Sequence, residues 1–333
     1  MAEVAYRATT QNVHVPPGVT VETLNRVRVL HLVNAAKTTS VRITDRELRA
    51  ISAAFANVSS AALHIQLALA SYKHFELPSL HNLVSLTIRL VATVAVAPPA
   101  LPPVFLLLLD APRLKILDVY FVSLDQHFIS AGVLPPVATQ PVSYSLIDYT
   151  VPCPFPGWLL PVISSRHTLQ IMSVGYPGYV TSTGDLHGQI LQSRLLAGLG
   201  VFPQLHTLTF TPSNGHGEVL HTLAQLLVQC PHIQCLTLCI DGLHEDDAFR
   251  RTLNALIAPL LHLTVIFRLP NLVWQERGYI KSKFHFVLRL HPLRLLRSLT
   301  CKIQPFRDAD TTFALLRHAC SSRRIRLQVL HGL

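Results

Sequence analysis

Charge is scarce in this chain: 14% of its 333 residues are Asp, Glu, Lys or Arg, against 50% apolar. That balance excludes intrinsic disorder, which needs the opposite composition. Tryptophan and methionine are almost missing, with two of each. Also lacking is an apolar run that could span a bilayer as one helix. The charge-free stretch Leu90 to Leu109 is long enough by count, but it contains Pro98, Pro99, Pro102 and Pro103. Each proline removes a backbone donor and clashes with the preceding turn, so no continuous helix is expected there. The opening MAEVAYRATTQNVHVPPG shows no apolar core after a basic start, so no secretory signal is expected. Cys153, Cys230, Cys235, Cys239, Cys301 and Cys320 then read as reduced thiols of an intracellular protein, cytoplasmic or nuclear.

Negative charge is lacking at one end. Residues 277–333 hold twelve Lys and Arg against only Asp308 and Asp310, which accounts for the whole chain's net charge of +10. Sign asymmetry of this kind points to an acidic partner, such as nucleic acid or another anionic surface.

Catalytic signatures are missing too. No Walker loop, G-x-S-x-G elbow, H-E-x-x-H helix or dinucleotide fingerprint occurs, so neither an enzyme nor a cofactor is expected. The segment Gly184-Asp185-Leu186-His187-Gly188-Gln189 resembles the first metal-binding block of calcineurin-like metallophosphatases. Two metals need ligands from several loops, and the later blocks are absent. A metal-dependent phosphoesterase is therefore the weakest reading, behind a turn leading into a helix over 186–199. Cys230, His232, Cys235 and Cys239 lack the paired short spacing of a zinc knuckle. The acids from Asp241 to Asp247 suit a helix N-terminus better than a calcium loop.

What is present is repetition. The pattern L-x-x-L-x-L returns as Val27-x-x-Leu30-x-Leu32, Leu83-x-x-Leu86-x-Ile88 and Leu114-x-x-Leu117-x-Val119. It continues as Leu205-x-x-Leu208-x-Phe210, Ile233-x-x-Leu236-x-Leu238, Leu260-x-x-Leu263-x-Val265 and Leu296-x-x-Leu299-x-Cys301. Weaker copies are read around Leu63, Leu169 and Leu330. The second half of the pattern alternates with period two, so it marks a short strand with one buried face. Between copies, 45–56, 218–228, 246–256 and 311–319 show helical spacing of apolar residues. Strand and helix alternating in one direction predict an α/β fold, with a parallel sheet inside and helices outside. The spacing is close to, or above, that of a leucine-rich repeat. The expected architecture is an irregular leucine-rich-repeat solenoid, a horseshoe with a concave sheet. It covers 24–333 after a tail at 1–23, with a Pro-rich insertion without regular structure at about 125–163.

The segments LLDAPRLKILDV (108–119), FPQLHTLTF (202–210) and CPHIQCLTL (230–238) resemble the repeats of F-box-associated leucine-rich-repeat proteins. Their irregular style is similar to the F-box-like families of mushroom-forming fungi. The resemblance implies a protein-interaction scaffold, such as the substrate-recognition arm of a cullin ubiquitin ligase adaptor. Before Val27, however, no helical F-box segment is visible: Val15-Pro16-Pro17-Gly18 runs almost directly into the first repeat.

If the anchor leucines point inward, the open face carries Thr87, Arg89, Asp118, Tyr120, Thr209, Thr237, His262, Thr264, Arg268, Thr300 and Lys302. Solenoids bind along such extended surfaces, and this mixture suits a protein partner. The alternative is a nucleic-acid or other anionic partner held by the basic segment 277–333.

Overall fold

A computed structural model describes residues 3–8, 29–34, 60–67, 82–92, 112–123, 144–151, 160–175, 198, 200–211, 217–240, 246–267, 290–303 and 313–331. Chain contacts divide it into two compact units, Met1–Ser165 and Arg166–Leu333.

The first unit contains strands β1 (Glu3–Ala8), β2 (Val29–Asn34), β3 (Ser60–Leu67), β4 (Ser85–Ala92), β5 (Ile116–Ser123) and β6 (Asp148–Val151). Each pairs in parallel with the next in sequence. A short helix, α1 (Leu160–Ser165), follows β6. Its buried Ser165 hydroxyl accepts a 3.0 Å hydrogen bond from the Leu146 N–H just ahead of that strand.

The second unit repeats the scheme with β7 (Ile171–Gly175), β8 (Thr207–Thr211), β9 (Cys235–Ile240), β10 (His262–Phe267), β11 (Ser298–Ile303) and β12 (Arg326–His331). These too pair in parallel in chain order. Parallel neighbours require a crossover, and three of them contain helices. They are α2 (Gly217–Val228), α3 (Asp246–Asn254) and α4 (Ala314–Ser322). A 3-10 turn, His291–Leu293, precedes β11. The α/β class with a parallel sheet therefore holds.

Burial follows the two periodicities. Leu208, Leu236, Leu263 and Leu299 lie in register on adjacent strands, as do Phe210, Leu238, Val265 and Cys301 two residues on; all are at most 2% exposed. Helix α2 buries Leu220, Leu223, Leu226 and Leu227, at spacings of three and four. Each fully buried leucine contributes about 1.5–3 kcal/mol. Leu205, Ile233, Leu260 and Leu296, three residues before each anchor, close the core beneath the turns.

One backbone device recurs at the starts of β5, β6, β8, β9, β10 and β11. Two successive N–H groups converge on one carbonyl of the preceding repeat. Lys115 and Ile116 donate to Val84 O, and Ile147 and Asp148 to Lys115 O. In the second unit, His206 and Thr207 donate to Gln170 O, Gln234 and Cys235 to His206 O, and Leu261 and His262 to Gln234 O. Arg297 and Ser298 donate to Leu261 O in the same way.

Several sequence expectations need correcting. The stretch 125–163 is not free of regular structure, because it contains β6 and the start of α1. Tyr149, fully buried, pairs with the anchor Leu117, so Leu146-x-x-Tyr149 is a repeat whose second leucine has become tyrosine. The register anchor of β3 is Ala61, paired with Leu30 and Leu86, rather than Leu63. That of β7 is Met172, paired with Leu208, and that of β12 is Leu327, paired with Leu299. Leu330 instead pairs with Lys302 and is 40% exposed. Strand β1 lies inside the segment read as a tail, 1–23. Of the expected helices, 218–228, 246–256 and 311–319 correspond to α2, α3 and α4, while 45–56 and 186–199 fall outside the described residues. Among the described residues no helix is long and apolar enough to cross a membrane, and Leu90 to Ala92 end strand β4.

Candidate functional site

With the leucine rows turned into the core, the alternate residues of each strand form rows on the opposite face. In the second unit the central row is Ser173, Thr209, Thr237, Thr264, Thr300 and Gln328, one residue from each of six neighbouring strands. The four threonines are half-buried and Gln328 is exposed. Neighbouring strands lie about 4.8 Å apart, so the row is a ladder of short hydroxyl side chains at that pitch.

The row nearer the strand starts reads Ile171, Thr207, Cys235, His262, Ser298 and Arg326. Here His262 Nδ1 and Ser298 Oγ share a 2.7 Å hydrogen bond, and His206 Nδ1 lies 3.0 Å from Thr207 Oγ1. The third row, nearer the strand ends, places Cys239, Ile266, Lys302 and Leu330 in register. Ile266 is only 2% exposed, and Thr211 on β8 is fully buried with no hydrogen bond to its hydroxyl among the described residues. The strand-end row is thus enclosed at β8 and β10 and open at β12.

In the first unit, Thr87, Asp118 and Thr150 share one row, and Ser85, Ile116 and Asp148 another. The Thr87 hydroxyl donates to Asp118 Oδ2 at 3.5 Å. Partial burial raises the Asp148 carboxyl above the usual carboxylate range, and the charge of Asp118 adds to the shift. Arg89 occupies the register position between His64 and Tyr120.

Sequence reasoning therefore placed Asp118, Thr209, Thr237, His262 and Lys302 on strand positions alternate to the anchors, with Arg89 and Tyr120 in register with one another. They are divided between the two units. Arg89, Asp118 and Tyr120 belong to the first unit; Thr209, Thr237, His262 and Lys302 belong to the second. Arg268, Asp185 and His187 lie outside the described residues. The reasoning missed Asp148, Ser173 and Thr207, whose signal was their alternation with Tyr149, Met172 and Leu208.

Three of the four described thiols are buried. Burial pushes Cys230 up to about 12 and Cys320 up to about 11, and moves Cys301 higher still. Cys230 lies in the core while Cys235 stands on the open face, so these two do not converge on one site. Among the described residues no three His, Cys, Asp or Glu side chains are placed to hold a metal.

No protein-family model matches the chain, and no curated protein matches it.

Proposed function

We propose that the chain is a leucine-rich-repeat protein acting as a protein-interaction scaffold rather than as an enzyme. The observation that carries this reading is the row Thr209, Thr237, Thr264 and Thr300, aligned across four strands and half-exposed along its length. Short side chains on a regular pitch give a partner a long, level contact, and few rotamers must be frozen when it binds. The rows beside it add a histidine, a lysine and an arginine for specificity. A role as the substrate-recognition arm of a cullin ubiquitin ligase adaptor is the more specific form of this proposal. It rests on the likeness of the repeats to those of F-box proteins.

The test compares the tagged full-length chain with its Thr237→Arg/Thr264→Arg variant, each purified from native cells and read by quantitative mass spectrometry. A defined set of proteins held by the parent and lost by the variant is expected. Recovery of a cullin with its Skp-type adaptor by both would support the adaptor role. Identical protein sets from parent and variant would remove the threonine row as the binding surface.

A further inference from the structure

Among the described residues of the last repeats, five of the six exposed arginines gather at one edge. His291, Arg294, Arg297, Arg323, Arg324 and Arg326 are all exposed, and all lie in the turns that lead into β11 and β12 or at the first residue of β12.

Two contacts join these two turns into one edge, and a third lies within the first turn. The Arg326 N–H donates to Arg297 O at 2.9 Å, which sets the first residue of β12 beside the residue that precedes β11. The Arg323 guanidinium donates to Leu293 O at 3.1 Å, tying the turn after α4 to the 3-10 turn before β11. Arg294 Nη1 donates to His291 Nε2 at 3.0 Å. The only carboxylates in 277–333, Asp308 and Asp310, belong to the connection after β11 and lie outside the described residues.

A second observation concerns Arg324, which has φ of 59°, in the left-handed region. It closes α4 by a Schellman turn: Ile325 N–H donates to Cys320 O at 2.9 Å and Arg324 N–H to Ser321 O at 3.1 Å. Glycine fits that position without strain, yet the chain holds an arginine there. Strain of this kind accumulates where a side chain has a task.

We propose that the leading edge of β11 and β12 binds the phosphate backbone of double-stranded nucleic acid, independently of base sequence. This surface adjoins the threonine row, because Arg326 also stands in the row beside it. Guanidinium groups recognise phosphate through paired N–H donors, and five of them stand within two adjacent turns. A duplex carries one charge per about 1.7 Å of its axis, denser than the arginines themselves, so each finds a phosphate without a fixed register. Among the described residues the edge has no Phe, Tyr or Trp on which the bases of a single strand could stack. It exposes one large apolar side chain, Leu295, less than a lipid-inserting surface needs.

The experiment is fluorescence anisotropy of a labelled DNA duplex of about 20 base pairs, titrated with the full chain over a series of salt concentrations. Five neutralised phosphates give a slope of about −4.5 in log K against log salt. The Arg297→Glu/Arg326→Glu variant, with unchanged circular dichroism, is expected to flatten that slope by about 2 and to bind at least tenfold more weakly. Arg324→Gly should also bind more weakly while remaining folded, which separates charge from stability. Arg113→Gln, on the first unit, should bind as the parent does. The proposal is overturned if the Arg297→Glu/Arg326→Glu variant binds like the parent, or if Arg113→Gln weakens binding equally. It also falls if the parent binds phosphatidylserine vesicles and not the duplex.

Discussion

The Thr252 hydroxyl of α3 lies 2.9 Å from the carbonyl oxygen of Leu220 in α2, thirty-two residues earlier, and 2.8 Å from Ala248 O in its own helix. Thr252 is fully buried, so this one hydroxyl joins consecutive helices where water does not reach. Thr252→Val keeps the shape and removes the donor. The expected cost is about 1–2 kcal/mol, read as a lower urea midpoint with an unchanged slope. A shift near zero would show that the packing of the side chain, and not its hydroxyl, joins the helices.

Asp148 gives the first unit a pH dependence of definite sign. Its folded-state value is raised by burial first and by Asp118 second. The folded state therefore binds more protons than the unfolded chain above the ordinary carboxylate value of 3.8. Stability from this group falls as pH rises through that window. Asp148→Asn is expected to stabilise the protein at pH 7 and to leave it unchanged near pH 3. Denaturant unfolding at both pH values checks this, and a gain of equal size at both would assign the effect to packing.

Arg324→Gly is expected to raise stability by about 1 kcal/mol, because only glycine takes the left-handed closing position of α4 without a steric penalty. Thermal unfolding of the variant measures it. A loss would mean that side-chain contacts of Arg324 outweigh its backbone strain.

Thiol reactivity should separate the cysteines by face. Cys230, Cys301 and Cys320 are buried and shifted upward, so hardly any thiolate exists at pH 8. Of the four described thiols, Cys235, half-buried on the open face, should react first with a thiol reagent in the folded chain. Peptide mapping after brief labelling gives the order, and denaturant should equalise it. Early labelling of Cys301 would contradict the packing beneath β11.

The repeats were legible wherever leucine or isoleucine filled the anchor positions, as at Leu208, Leu236, Leu263 and Leu299. They were illegible where another apolar residue took the place. Tyr149 does the work of an anchor leucine, but its phenol and the surrounding prolines disguise the repeat as an insertion. Met172 disguises the next in the same way. Leu330 misled in the opposite direction: Leu327-x-x-Leu330 copies the spacing, yet Leu330 stands on the open face in register with Lys302. Spacing alone cannot separate two leucines three apart on a strand, because an odd separation puts them on opposite faces. For the proposed recognition surfaces, alternation located the threonine row. The charge split located the basic segment but not its edge, since Arg297 and Arg326 are neighbours only through strand pairing.

The shared-carbonyl turn has a consequence for how such a chain changes length. Each strand takes its starting point from a carbonyl of the repeat before it, not from the connection that delivers it. The anchors Leu236 and Leu263 are 27 residues apart, Leu263 and Leu299 are 36 apart, and both strand pairs hold the same register. A crossover can therefore gain nine residues while its strand still docks one place along. The entropy of the longer excursion rises only logarithmically, at about 0.6 kcal/mol per doubling. Insertion and sheet order are uncoupled here, which leaves the crossovers free to diverge while the sheet stays in step.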